Sequence, residues 1–228
     1  MIKDNVEIIR CKDKKEASEK ALELLSKAVD KDTLLFLSGG TSPDLLYQLI
    51  ARDKKLRPGA IALIDERYGL PMHENSNEKM IENTGLVRHL NNEGIPYFKI
   101  LKEDNMDIVA EQYEQTIQKL FKKFPKKLAV MGIGSDGHTA GIKPGLDYDH
   151  SRWVVAYDDI NGPFGKRITL TFEALNEVNE FIIIVFGENK RAILEKMFQE
   201  QDIKSLPAAF YAKNSAKVII LTDINLDS

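Results

Sequence analysis

Short runs of apolar residues alternate along the chain with longer stretches in which apolar positions recur at helical spacing. Residues 14–29 carry Ala17, Ala21, Leu22, Leu24, Leu25 and Ala28 among charges, which predicts an amphipathic helix. Thr33-Leu34-Leu35-Phe36-Leu37 reads as a short buried strand. It breaks at Ser38-Gly39-Gly40-Thr41-Ser42-Pro43, and a helix follows over 44–51. Pro43 suits a first helical turn, and Ser42 is the expected cap. The next buried strand, 60–64, ends in Asp65-Glu66-Arg67, and Asn75-Ser76-Asn77-Glu78 opens another helix. A strand near 97–101, a long helix over 106–123 and a strand over 127–131 come next. Strands over 153–157, 167–171 and 181–186, a helix over 188–199 and a strand over 218–221 complete the pattern.

Strands apolar on both faces, separated by helices, predict an α/β protein with a mainly parallel open sheet and helices on both faces. A single domain over 1–228 is the simplest organisation for this length, with two small domains as the alternative. Residues 141–166 are the least regular stretch. They are either a substrate-covering loop or a plain surface connection.

Charge narrows the partners. The chain has 32 basic and 35 acidic side chains, a net charge of −3. Nothing in that balance calls for nucleic acid, which needs a basic surface. An anionic ligand would need a local cluster of cations. The one cysteine, Cys11, can make neither an intrachain disulfide nor a zinc site by itself, and it reads as an inert thiol. The start of the chain, Met1-Ile2-Lys3-Asp4-Asn5, lacks the apolar core of a signal peptide, and no stretch approaches the ~18 apolar residues of a membrane span. A cytoplasmic protein with no membrane partner is expected.

Four places carry candidate chemistry. Ser38-Gly39-Gly40-Thr41 sits between a strand and a helix, where glycine backbone amides, hydroxyls and the helix N-terminus can cradle a phosphate; an ordinary tight turn is the competing reading. It is neither a P-loop nor a dinucleotide fingerprint, because the required spacing is absent. Asp65-Glu66-Arg67 is either a charged strand exit or a carboxylate and an oxyanion-binding arginine facing a site. Asn77 caps a helix or adds a polar contact.

The third place is Gly132-Ile133-Gly134-Ser135-Asp136-Gly137-His138, directly after the apolar run Leu128-Ala129-Val130-Met131. Ligands of open α/β sheets sit outside the carboxyl ends of strands. His138 delivered there is a candidate general base, with Asp136 to orient its ring. His73, His89 and His150 lack such a setting and read as surface residues, with His73 a weak exception because it lies between the Asp65 motif and Asn77. The fourth place holds Arg167 and Lys190, cations near strand ends. Lys190 falls in a first helical turn, where a cation is unfavourable unless a bound anion offsets it. No pair of histidines has metal-ligand spacing, so no metal and no cofactor is expected.

In this order and spacing the motifs resemble the 6-phosphogluconolactonase family, within the larger group that includes the glucosamine-6-phosphate deaminases (isomerases). Ser38-Gly39-Gly40, Asp65-Glu66-Arg67, Ser76-Asn77, the Gly132–Ala140 run (residues 132–140), Arg167-Ile168-Thr169-Leu170-Thr171, Gly187-x-x-Lys190 and Leu206-Pro207-Ala208 carry the resemblance across almost the whole chain. Arg67 and Thr139 resemble the lactonases, where deaminases have Tyr and Ile. Deaminases also carry a glutamate before the proline that is Pro144 here; this chain has Lys143. Lactonases commonly read Ser-Leu-Phe-Pro where this chain has Gly141-Ile142-Lys143-Pro144.

The resemblance implies a Rossmann-like fold and hydrolysis of 6-phosphoglucono-δ-lactone to 6-phosphogluconate in the oxidative pentose phosphate pathway. It implies His138 as base, Asp136 as its partner, and Arg67 at the developing oxyanion. The phosphate would lie on Ser38, Gly39, Gly40 and Thr41, with Arg167 and Lys190; Asp65 and Asn77 would meet the sugar. The partner is a small sugar phosphate, and a monomer or small homo-oligomer is expected. A deaminase and a non-catalytic sugar-phosphate sensor are the rival readings.

Overall fold

The computed structural model describes residues 5–160, 162 and 164–226. The stretch read for a leader (residues 1–4) and Pro163 lie outside the described residues. In chain order the elements are β1 (Val6–Arg10), α1 (Lys14–Ala28), β2 (Thr33–Leu37), α2 (Asp44–Asp53), β3 (Ala60–Leu63), β4 (Asp65–Arg67), α3 (Asn77–Asn83), α4 (Leu86–Asn92) and β5 (Tyr97–Phe98). They continue with α5 (Met106–Lys123), β6 (Lys126–Met131), β7 (Val154–Asp159), β8 (Gly165–Leu170), α6 (Phe172–Leu175), β9 (Glu180–Val185), α7 (Arg191–Met197), α8 (Ala209–Lys213) and β10 (Lys217–Thr222).

Seven strands form a parallel sheet in the order β1-β10-β9-β6-β2-β3-β5, flanked by helices. Leu34, Leu35, Phe36 and Leu37 of β2 and Ile182, Ile183 and Ile184 of β9 are fully enclosed. Burial of a side chain of this size contributes roughly 1.5–3 kcal/mol, so the strand centres are where the fold is most firmly held. Asp13 caps α1 by accepting from Glu16 N at 2.8 Å, and Asn105 caps α5 by accepting from Asp107 N at 2.9 Å. No helix among the described residues is long and apolar enough to cross a membrane.

The sheet order turns back between β2 and β6. From β2 the chain builds outward through β3 and β5; from β6 it builds the other way through β9 and β10. Neighbouring strands that diverge in this way open a crevice at their carboxyl ends. Ser38 N donates to Val130 O at 3.1 Å, so the loops after β2 and β6 leave the sheet side by side.

A second, antiparallel sheet of order β4-β8-β7 stands over this crevice. Asp65-Glu66-Arg67 is one of its strands, not merely the charged exit of the strand before it. The segment 141–166 is accordingly tied down by β7, and Tyr157 Oη donates to Gly141 O at 2.5 Å.

Several local expectations are corrected. Strand β1 has charged Glu7 and Arg10 at the sheet edge, which hid its pairing with β10. Helices α4 and α8 are too short to show a clear period. The strand placed near 97–101 shrinks to β5, and the helix placed over 188–199 divides into a 3₁₀ turn, Glu188–Lys190, and α7. Ser42 does not cap α2: the cap position is Pro43, with no side-chain hydrogen bond. His89 is buried on α4, 4% exposed, because its position faces the core of an element absent from the sequence reading.

Candidate active site

The crevice is a cleft of about 410 Å³ lined by Ser38, Gly39, Gly40, Thr41, Asp65, Arg67, Asn77, Asp136, His138, Arg167 and Lys190, the whole set singled out from the sequence. Lys143, Phe164 and Ala140 line it as well. The groups arrive from several elements, with Asn77 at the start of α3. Ser38–Thr41 (residues 38–41) follow β2, Asp65 and Arg67 continue from β3, and His138 and Asp136 lie in the loop after β6. Lys190 follows β9, and Arg167 descends from β8.

The histidine loop is shaped by glycine. A Cβ on Gly134 would sit 2.1 Å from His138 Nδ1, so only glycine leaves room for the ring. Gly137 turns the chain at φ +84°, a conformation that costs a side-chain-bearing residue and not glycine. His138 Nδ1–H donates to Asp136 Oδ1 at 2.5 Å, and His138 N donates to the same oxygen at 3.1 Å. The ring's partnership holds the Asp136 carboxyl far below the usual carboxylate range. Assigning the proton to Nδ1 on this network leaves the Nε2 lone pair as a base.

The turn after β2 is fixed from three sides. Gly40 has φ +93° and nothing within 4 Å of a notional Cβ, which leaves its backbone open to the cleft. Gly39 packs against the Asn77 amide, where a Cβ would fall 1.8 Å from Oδ1. Asn77 Nδ2 in turn donates to Asp65 O at 2.8 Å. Lys14 of α1 grips both Thr41 O and the Asp44 carboxylate. Ser38 Oγ, Arg67 Nε and Asn77 Oδ1 are buried without a protein partner. Buried polar atoms in native proteins are nearly always paired, so these three leave hydrogen-bonding capacity at the cleft that a ligand or water can take up.

Cations cluster here although the chain is net acidic. Lys190 is half-buried, donates to Ile133 O at 2.7 Å, and has no carboxylate within ion-pair distance among the described residues. Burial pulls its ammonium down from the usual lysine value. Arg167, 5% exposed, places Nε 2.8 Å from Asp159 Oδ2 and Nη1 3.9 Å from Asp65 Oδ2. Arg67 donates from Nη1 to Asn75 O at 2.7 Å. Phe164 presents its ring to both arginines, 4.2 Å from Arg67 Cζ and 5.4 Å from Arg167 Cζ.

Sequence reasoning missed a supporting layer beneath these groups. Tyr47 Oη donates to Ser38 O at 2.8 Å, Tyr113 Oη donates to Leu63 O at 2.5 Å, and Tyr211 Oη meets Thr139 Oγ1. Each buried phenol secures a backbone group or hydroxyl where a strand gives way to a functional loop. A tyrosine at a core position of a helix, as in Leu46-Tyr47, is a usable signal, since its hydroxyl must find a partner when buried. Glu66 was likewise unassigned. Its carboxylate accepts from Arg67 N, Asn77 N and Glu78 N at 2.7, 2.6 and 2.9 Å, joining β4 to α3 and so fixing Arg67 and Asn77 relative to each other.

A cleft that gathers a histidine–carboxylate pair, a lysine with no carboxylate partner among the described residues and a glycine turn at the edge of an open α/β sheet fits the class of enzymes that act on small sugar phosphates. Comparison narrows it. Residues 13–220 match the family described as glucosamine-6-phosphate isomerases/6-phosphogluconolactonase, and the chain belongs to that family. It is 30% identical to the 6-phosphogluconolactonase of Helicobacter pylori over 88% of this chain and 93% of that one. It is 33% identical to the Nostoc 6-phosphogluconolactonase over 71% of this chain and 70% of the relative. The solved structure of Thermotoga maritima 6-phosphogluconolactonase superposes with a TM-score of 0.80, covering 95% of this chain and 99% of that one, at 23% identity; it supports the fold.

Proposed function

We propose that the chain hydrolyses 6-phosphoglucono-δ-lactone to 6-phosphogluconate, working as one domain over residues 1–228. The observation that carries this reading is the shared cleft: the His138–Asp136 pair and the Ser38–Thr41 turn (residues 38–41) with Lys190 open into it together. One end can hold an anion while the other handles a proton.

His138 Nε2 takes a proton from water as the water oxygen attacks the lactone carbonyl. Asp136 steadies the imidazolium that forms. Arg67 faces the developing oxyanion. When the tetrahedral intermediate collapses, the ring C–O bond breaks and His138 returns the proton to the leaving oxygen. A lactone is already a reactive ester, so no covalent enzyme intermediate is required. The phosphate rests on Gly39, Gly40 and Thr41, with Ser38, Arg167 and Lys190 around it. Asp65 and Asn77 accept and donate hydrogen bonds to the sugar hydroxyls.

The deaminase reading asks for a carboxylate in the loop after His138. That position brings Lys143 instead, whose Nζ lies 2.7 Å from Asp159 Oδ1. The proposal also carries a cytoplasmic location and a monomer or small homo-oligomer, the latter read directly by size-exclusion chromatography with light scattering.

The test is a coupled assay with freshly generated phosphogluconolactone beside glucosamine 6-phosphate. The parent should consume the lactone and release no ammonia from the amino sugar. His138→Ala should lower kcat by roughly 10²–10⁴ while remaining folded, the range a general base supplies. Near-parental turnover in that variant removes His138 from the mechanism; ammonia release by the parent replaces the lactonase reading with the deaminase one.

A further inference from the structure

Asp159 is 4% exposed and uses both carboxylate oxygens for cations. Oδ2 accepts from Arg167 Nε at 2.8 Å, and Oδ1 accepts from Lys143 Nζ at 2.7 Å. The two cations come from different parts of the fold. Arg167 stands on β8, whereas Lys143 lies in the turn that follows His138, where Thr139 and Ile142 pair across a bridge. The hairpin that carries Asp159 offers no substitute. Gly162 folds so closely over the carboxylate that a Cβ there would lie 1.9 Å from Asp159 Oδ2. The hairpin's own Lys166 lies 3.8 Å from Asp158.

Charge counting gives Lys143 its importance. Arg167 is flanked by two carboxylates, Asp159 and Asp65, both nearly enclosed. Those three groups alone carry a net charge of −1 at the wall where an anion must settle. Lys143, which also lines the cleft and is 23% exposed, brings the cluster to neutrality. The field of Arg67 and Lys190 is then not offset by a buried excess of negative charge. Complementarity of this kind acts chiefly on selectivity.

We propose that Lys143 is a specificity-determining residue: by neutralising Asp159, to which Arg167 stays bonded, it removes the surplus negative charge from the wall where the anionic group of the substrate settles, and so favours phosphorylated over neutral sugar lactones. This rests on the lactonase reading for its substrate, but the anion subsite itself can be measured without turnover.

Inorganic phosphate is the probe, titrated calorimetrically into the full chain. Lys143→Met keeps the aliphatic stem and removes the charge; Lys143→Gln keeps a hydrogen-bond donor to Asp159. Both should weaken phosphate binding roughly tenfold and raise KM for phosphogluconolactone by a similar factor, with kcat within about twofold and KM for glucono-δ-lactone unmoved. Lys143→Arg should restore parental behaviour. Adding Asp159→Asn to Lys143→Met should recover most of the lost phosphate affinity, because the surplus carboxylate goes too. Parental phosphate binding in Lys143→Met and Lys143→Gln overturns the proposal. So does a double variant no tighter than the single one, since the loss would then be structural. If the parent binds phosphate and Lys143→Gln weakens it while neither hydrolyses the lactone, the subsite stands and the lactonase reading falls.

Discussion

The two sheets build their halves of the cleft by different means. The parallel sheet sets His138, Asp136 and Lys190 on backbone turns shaped by Gly39, Gly40, Gly134 and Gly137, and the turns are secured below by buried tyrosines on neighbouring helices. The small antiparallel sheet supplies a network of buried charge: Arg167, Asp65 and Asp159, held by one another and by Lys143, with Arg67 bonded separately to Asn75 O. The first half does not tolerate added volume at Gly39, Gly134 or Gly137. The second does not tolerate the loss of a charge partner, because an uncompensated buried ion is costly.

The sharpest way to break this contrast is to remove the central cation. Arg167→Met leaves Asp159 and Asp65 short of their shared partner in a nearly enclosed setting. A loss of about 3 kcal/mol is expected, read as a fall in Tm of roughly 6–12 °C by calorimetry. A Tm within a degree of the parent would place the network in effective contact with water.

On the backbone side, Gly134→Ala should do the reverse. The added methyl meets the His138 ring, so the base is displaced and kcat should fall roughly 10²-fold, the cost of a ~1 Å misplacement, with a much smaller change in Tm. An unaltered kcat would mean that the ring need not hold its present position.

The smallest effect is a slope with pH, and it concerns the residue that joins β4 to α3. Burial pushes the Glu66 carboxyl up to about 8, against the pull of three backbone N–H groups. In the unfolded chain it titrates near its ordinary 4.5. The folded state therefore binds the proton more tightly, and this group's contribution to stability declines as pH rises from about 4.5 through 8. Denaturant titrations of Glu66→Gln across that interval should show a shallower decline than the parent; parallel curves would assign the slope to other groups.

The parallel sheet was legible in the sequence because its central strands are apolar on both faces, and that pattern leaves few alternatives. The candidate residues after β2, β3, β6 and β9 could be grouped for a related reason: in such a sheet, polar motifs directly after buried strands converge at one edge, a rule that does not reach Asn77 on α3 or Arg167 on β8. What stayed hidden was pairing between distant segments. Nothing local in Asp65-Glu66-Arg67 announces a strand that pairs with Ile168 and Arg167, and nothing near Lys143 points to Asp159. The bracing role of Glu66 is equally mute, since two of its three partners are backbone groups of a helix that begins eleven residues on.

The central claim is that one sugar phosphate spans the cleft, with its anion on the glycine turn and its reacting carbon at the histidine. A crystal of the parent soaked with 6-phosphogluconate reads this directly. The phosphorus should lie against the amides of Gly39 and Gly40 and within reach of Lys190, with the carboxylate beside His138 Nε2 and Arg67. A phosphate bound at His138, or a sugar chain pointing out of the cleft, would contradict it.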